Sequence, residues 1–559
     1  VQDTADLVII RAQVLTMDPA NQRRMTDAIA VRGDKVLALG SEPVGAVTGP
    51  GTKVIDAGGA AVIPGINDAH LHFVSASMAA FGYLKLDRAS TPDRAAVVAR
   101  VEQAPVGEDG WIRAHGWDDT AVGSGAGLLL DCRPDVPVVA FDSTGHQLAV
   151  NREALRRAGI STTTTDPAGG AISRSADGEP NGLLQDGAME LLSRSLPPLP
   201  EEMLRGSLLS LQQRLHGEGI TSLTEPGLGP ASPGLLDGAG STAALELLGK
   251  LALEAELTLR INVLMLFAGT GGANAAAVQH GLGSGLAATY RNRGIDDQQL
   301  RIAGVKVFAD GIPRSGTAWM SEPYGAACSH GSLVIKGMND ADKVAELNRI
   351  LALIDDAGLQ AGIHATGDAA TDAAVNALAT RNGSSRNRHY IIHGSFTGTG
   401  TLKKMAAHGI GYSTNPLIRA EAGDAMRRLL GEERFANHQP LRSALDAGVH
   451  FNIASDAPVT STDWRRTVLA AVRRPTRTTP GSPTDPQRLG GLEALAAMTV
   501  QPAWQDRAEH YKGALIPGMK ADLCLLSDPW PDDRDIEKIL HNTAVLTLSG
   551  GRIVHNVTS

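Results

Sequence analysis

The stretch AVIPGINDAHLH, residues 61–72, is a short apolar strand that runs directly into an aspartate and two histidines. In an extended chain, side chains two apart point to the same side. His70 and His72 therefore share a face and would hold one metal ion together, with Asp68 just before them. Pro64 and Gly65 shape the backbone at the strand's end. A chance pair of histidines on a strand is the plain alternative, and the rest of the chain has to decide between the two.

The pattern of an apolar strand followed by a helical stretch recurs outward from there. GITSLTE (219–225), RINVLML (260–266), GVKVFAD (304–310), QAGIHAT (360–366), HYIIHGS (389–395), GIGYSTN (409–415) and VHFNIASD (449–456) are short and rich in Val and Ile. Between them lie Ala- and Leu-rich helical stretches such as 340–358 and 368–382. With 61–68, this strand–helix alternation predicts an α/β fold, a parallel (β/α)8 TIM barrel. An open doubly wound sheet is the alternative. It lacks its phosphate loop here, since no strand is followed by G-x-G-x-x-G or a P-loop.

Both chain ends read differently. ADLVIIRAQVLTMD (5–18), DAIAVRGDKVLALG (27–40), KADLCLLSD (520–528) and AVLTLSGGRIVHN (544–556) are strands broken by Gly and Asp turns. They predict a small β-sandwich built from residues 1–61 and 508–559, since chain termini commonly lie close together. The barrel then takes residues 62–75 and 201–507. Residues 76–200, with WIRAHGWDD, PVVAFDSTGHQLAVN and a Thr/Gly/Ser-rich loop, exceed the barrel count. They are read as an insertion after the first barrel strand that caps the mouth.

Four more chemically useful groups stand at strand ends: Lys306 in GVKVFADG, His364 in GIHATGD, His393 in YIIHGS and Asp456 in NIASDAP. In a (β/α)8 barrel these C-terminal ends meet on one face, where catalytic groups collect. Singly, each has a dull reading. A strand-end His is often a structural hydrogen-bonding residue, a Lys can snorkel to solvent, and an Asp can cap a helix. Together with His70 and His72 they are harder to dismiss.

VIPGINDAHLH resembles the P-G-x-x-D-x-H-x-H signature of the amidohydrolase superfamily. GVKVFADG, HATGD and ASDAPV resemble its YtcJ-like branch, which includes N-substituted formamide deformylases. The likeness covers nearly the whole chain, including IPGMKADLCLL (516–526), similar to the family's C-terminal ending. It implies that His70 and His72 hold a first metal and that His364 and His393 hold a second. It further implies that Lys306 is N-carboxylated to bridge the two. An unmodified, protonated lysine has no lone pair for a metal, so that role needs the carboxylation. Asp456 would ligate the first metal and shuttle protons. His146, in STGHQLAVN, resembles a Gly-His motif of the branch's insertion and is assigned to substrate binding or carbonyl polarisation, with a structural role as the alternative. Trp117 and Trp319 are candidates to line the pocket or to pack the core or lid. Arg314 is a candidate partner for a substrate carboxylate, or a solvated loop residue. IIHGSF lacks the acid before, and the Ala-Gln after, the histidine of many relatives. GDAATD lacks the Arg that often follows Gly-Asp. Both departures bear on substrate rather than on reaction class.

Composition narrows the partners. The 559 residues carry 51 basic and 60 acidic side chains, a net charge of −9, which argues against a nucleic-acid surface and weakly against anionic membranes. Aromatics are only 4%, too few for base-stacking platforms. No apolar run reaches membrane-spanning length, and LRINVLMLF (259–267) is too short. Cys132, Cys328 and Cys524 are too scattered for a disulfide framework or a CxxC knuckle, and the first residues show no signal-peptide pattern. A reducing, cytoplasmic setting is expected. Imidazole and carboxylate donors predict zinc, with manganese or iron as alternatives. The expected function is hydrolysis of a C–N bond in a small amide-like molecule. A cyclic amide, ester or ring amine is the alternative substrate, and a non-catalytic binding protein the third reading. A homodimer is the base expectation for assembly.

Overall fold

The computed structural model describes residues 4–21, 25–167, 169–231, 241–288, 293–325, 329–381 and 384–558; Cys328 lies outside them. The eight apolar stretches each supply a strand to one eight-stranded sheet, in chain order. They are β1 (Ile66–Asp68), β2 (Ile220–Leu228), β3 (Arg260–Met265), β4 (Leu300–Phe308), β5 (Gln360–Ala365), β6 (Tyr390–His393), β7 (Gly411–Thr414) and β8 (Phe451–Ile453). Every neighbouring pair is parallel. Strands of a parallel sheet are buried on both faces, which is why they read as continuous apolar runs rather than alternating ones. The segments that follow β1 and β8 close the barrel: Asp456 N donates to His70 O (2.8 Å) and His72 N to Ala457 O (2.9 Å). Gly304 is required by strand contact, since a Cβ there would lie 1.9 Å from Gln360 O.

The intervening helices pack outside the barrel. Helix Asp340–Asp356 starts where the Asn339 side chain accepts from Asp342 N, and it buries Leu347, Ile350, Leu351 and Ile354 at helical spacing. Two later helices matter below: α1 (Pro416–Leu430) and α2 (Trp464–Arg473). Among the described residues no helix is long and apolar enough to cross a membrane.

Strands from both termini form two further sheets. One runs in the order 35–39, 29–32, 7–10, 53–56, and the other 552–556, 544–549, 523–526, 61–64, 13–15, 25–26. Ile9, Val14, Ile29, Val62, Leu523 and Leu546 share the core between them. The strand Ala61–Pro64 belongs to this sandwich, and the chain then passes straight into β1. Gly65 N, at that junction, donates to Asp522 O. The stretch that carries His70 and His72 is thus rooted in the terminal domain.

Between β1 and β2 the chain builds a six-stranded sheet in the order 170–174, 180–186, 147–150, 138–142, 112–117, 84–85. It has its own core of Leu86, Val97, Trp117, Leu128 and Val138.

Candidate metal centre

The C-terminal ends of β1 and β8 bring His70, His72 and Asp456 together. Asp456 Oδ1 lies 3.1 Å from His70 Nε2 and 3.5 Å from His72 Nε2. Each of the three offers a ligand atom within 4.8 Å of the others, and all are buried. The remaining histidines follow ring by ring: His70 to His393 at 5.5 Å between centroids, and His393 to His364 at 4.7 Å. Lys306 is 1% exposed, with Nζ 4.6 Å from the centre of the Phe308 ring. His72, Lys306, His364, His393 and Asp456 line a cavity of about 260 Å³, and His70 is buried beneath them.

Backbone strain marks two of these groups. His393 has φ 68° and Asp456 φ 60°, in the left-handed region that residues with a Cβ avoid. Such conformations cost about 1–3 kcal/mol each and persist where the surroundings over-determine them, commonly at functional sites.

The protonation states suit a metal. Burial, and next the Lys306 ammonium, lower His70 to about 3. Burial lowers His393 to about 4, with Asp456 opposing and Lys306 assisting. Burial and the His393 ring hold His364 well below the usual range. These imidazoles are neutral and offer lone pairs, as metal ligation requires. Burial lifts the Asp456 carboxyl, but His70, His72 and His393 outweigh it and hold it well below the usual carboxylate range. Burial dominates at Asp68, which is lifted to about 6 while accepting from Ser455 N and His70 N.

The surrounding hydrogen bonds aim the rings. His364 Nε2 donates to Gly311 O at 3.0 Å, and a carbonyl only accepts, so the lone pair is on Nδ1. His393 Nδ1 donates to Asn415 Oδ1 at 2.7 Å, and Asn415 is oriented by donating to Ala454 O, so the His393 lone pair is on Nε2. A metal-bound histidine characteristically donates its other N–H in this way. His70 makes no hydrogen bond from either ring nitrogen, although Nε2 faces Asp456 Oδ1. His70 Nε2 and His72 Nε2 converge on the same Asp456 oxygen, an arrangement that suits a shared cation. The donor set fits a divalent metal.

The other candidates divide. His146 lines the cavity, with its ring 5.8 Å from that of His364. Its Nδ1 lies 2.8 Å from Asp186 Oδ1, and Asp186 N donates to His146 O, so two segments of the insertion lock the ring. Arg314 also lines the cavity and pairs with Asp119 at 2.8 Å. The two tryptophans are elsewhere. Trp117 is fully buried in the core of the inserted sheet and donates Nε1 to Ala140 O. Strand alternation explains this, because its neighbours Gly116 and Asp118 face the cavity and Trp117 faces away. Trp319 packs against the barrel core, and its backbone N–H donates to Asp310.

Three positioning residues were missed by sequence reasoning: Asp186, Asn415 and Asp310. Asp310 is buried and accepts from the backbone N–H of Thr366, Gly367 and Trp319, fixing the turn after His364. Burial lifts its carboxyl to about 7 against those three donors. Its place in the quoted GVKVFADG stretch was the one available signal.

The chain is 27% identical over 543 residues to an N-substituted formamide deformylase of Arthrobacter pascens, covering 94% of each. It is 25% identical over 491 residues to the putative amidohydrolase YtcJ of Bacillus subtilis (strain 168), covering 87% of each. An uncharacterized metal-dependent hydrolase from Pyrococcus horikoshii shares the fold with a TM-score of 0.71, at 22% identity and over 94% of this chain and 98% of that one. The pattern of the amidohydrolase family matches residues 53–555, and the chain belongs to that family.

Proposed function

We propose that this chain is a metal-dependent hydrolase that cuts a C–N bond, of the amide, N-formyl or N-acyl kind, in a small molecule. The observation that carries the reading is the meeting of Asp456 Oδ1 with His70 Nε2 and His72 Nε2 at the floor of a cavity. His70, His72 and Asp456 would hold one ion. Lys306, carboxylated on Nζ, would join His364 and His393 at a second. A divalent ion held there, zinc by the donor set, would acidify water toward neutrality and polarise a carbonyl.

The protein supplies the rest. Asp456, ionised and buried, takes the proton of the attacking water and delivers it to the leaving nitrogen, which an amide needs because an amine anion leaves poorly. His146, held by Asp186, faces the same space from the insertion and binds or polarises the substrate carbonyl. Residues 76–200 act as the cap that selects the substrate. The named activity of the Arthrobacter relative supports the bond class. The free thiols Cys132 and Cys524 agree with a cytoplasmic setting.

Metal analysis of the purified protein, with Lys306→Ala beside it, tests the centre. About two ions per chain, falling in the variant, is the expected result. A panel of N-formyl amines, N-acyl amines, cyclic amides, ring amines and esters tests the bond. Turnover confined to ring amines or esters would overturn the proposal, as would near-normal turnover by Asp456→Asn.

A further inference from the structure

A second cluster of charged side chains lies beside α1, the helix that brings Glu421, Ala422 and Met426 to the cavity wall, and the chemistry above does not use it. Arg419 on α1 is 7% exposed, Arg474 at the end of α2 is 3% exposed, and His438 is 0% exposed. Both guanidiniums donate to one carbonyl, His438 O, Arg474 from Nη2 at 2.5 Å and Arg419 from Nη1 at 3.4 Å. Burying two like charges against each other is costly unless opposite charge accompanies them. Among the described residues one carboxylate lies within ion-pair distance, Asp485, 3.1 Å from Arg474 Nε. The nearby Arg427 shares the Phe435 ring with Arg419 but has its own acids, Asp424 at 3.8 Å and Glu432 at 3.6 Å. Among the described residues Arg419 alone of the three guanidiniums has no carboxylate within ion-pair distance.

The hydrogen-bond inventory points the same way. Arg419 Nε, Arg474 Nη1 and both ring nitrogens of His438 are buried and make no hydrogen bond among the described residues. A neutral imidazole carries one N–H, so each of the three side chains has a donor to give. Rings enclose the spot: Phe396 and Phe435 lie 5.1 Å and 5.5 Å from the His438 ring.

We propose that a small monovalent anion of the halide class binds in the interior among Arg419, Arg474 and His438. One guanidinium, that of Arg419, lacks a carboxylate at ion-pair distance, and a monovalent ion complements it. The groups left over are N–H donors, which a spherical acceptor satisfies without demanding directions of its own. The ion would brace the segment behind the metal centre. Gln439, next to His438, donates N–H to Ser395 O and Nε2 to Asn415 O, each at 2.7 Å, and Asn415 orients His393.

The test needs neither substrate nor metal. Full-length protein is melted in sodium chloride and in sodium methanesulfonate at matched ionic strength. A ligand bound only by the folded state stabilises it by RT ln(1 + [L]/Kd). Chloride at tenfold over its Kd should therefore raise Tm by about 1–3 °C in a chain of this size. Arg419→Met removes the guanidinium that lacks a carboxylate and should abolish the chloride dependence. Crystals soaked in sodium bromide should show an anomalous peak between Arg419, Arg474 and His438, and this measurement requires no variant. A melting curve indifferent to chloride, or bromide-soaked crystals with water in that position, overturns the proposal.

Discussion

Asp186 Oδ1 lies 2.8 Å from His146 Nδ1, and the two residues also share the backbone bond from Asp186 N to His146 O. Asp186 adopts φ 46°, ψ −125°, outside the comfortable region for a residue with a Cβ. The inserted sheet bears this strain while presenting His146 to the cavity, which points to a positioning role for Asp186. Asp186→Ala should lower kcat about 10–100-fold with metal content unchanged, the usual range for losing a residue that orients a functional histidine. Asp186→Asn should recover part of the loss, because its amide oxygen still accepts from Nδ1. Equal losses in both variants would mean a merely structural carboxylate.

Asn415 bears the same relation to His393, at 2.7 Å. Asn415→Ala frees the His393 ring to rotate and lose its tautomer. The apparent metal affinity, read by competition with a chelator, should fall about 10–100-fold. The cap is untouched by this change, so KM measured at saturating metal should hold.

These two partners show where sequence reading stops. The barrel strands are legible because a parallel sheet writes each buried strand as a local run of Val and Ile, and ligands at strand ends inherit that register. His70 and His72 are legible as a pair in the sequence, but the strand ends at Asp68 and the two rings are brought together by the bend that follows it, not by strand alternation. Asp186 and Asn415 are 40 and 22 residues from their histidines, and their role exists only once separate segments meet. Nothing in the local sequence of either records that contact. Trp117 shows a different limit. WIRAHGWDD reads plainly as a strand, but its facing depends on which side of the inserted sheet meets the barrel.

That placement makes Trp117 a stability residue. Trp117→Phe removes the bond from Nε1 to Ala140 O and leaves most of the ring volume in the core. Stability should fall by about 1–2 kcal/mol, from one buried hydrogen bond and its stranded acceptor. KM should stay within about twofold, since the large losses come from residues that fill the binding site. A large KM change with normal stability would return Trp117 to the pocket.

His216 gives a pH signature away from the centre. Its ring bonds Ile220 O through Nδ1 and Thr258 Oγ1 through Nε2, and burial lowers it to about 4. The unfolded chain takes up a proton near pH 6.5 while the folded one resists it. The sign follows: this residue's contribution is intact above about pH 6.5 and is lost as pH falls from there toward 4. By pH 5 the loss is on the order of 2 kcal/mol. Denaturant titrations at pH 7 and pH 5 should therefore differ less in His216→Gln than in the parent. An equal difference in both would show that His216 does not titrate in this window.

The insertion is tied to the barrel by charge. Arg314, from the loop after β4, pairs with Asp119 of the insertion at 2.8 Å, and Arg477, from the loop after α2, lies 3.6 Å from Asp118. Arg314, Asp118 and Arg477 all line the cavity, so these pairs sit where substrate must pass. The Arg314–Asp119 pair is 13% and 31% exposed at its side chains, too open for a large stability contribution, so its effect is expected in substrate binding. Asp119→Asn should raise KM about 3–10-fold with a smaller change in kcat, since loss of uniform binding appears in KM. Raising ionic strength should weaken the parent's KM toward that of the variant and leave the variant nearly unchanged, because salt screens a pair that the variant no longer has. Parallel salt dependence in both proteins would assign the effect to the substrate's own charge, and would leave Arg314 as its partner instead of the cap's.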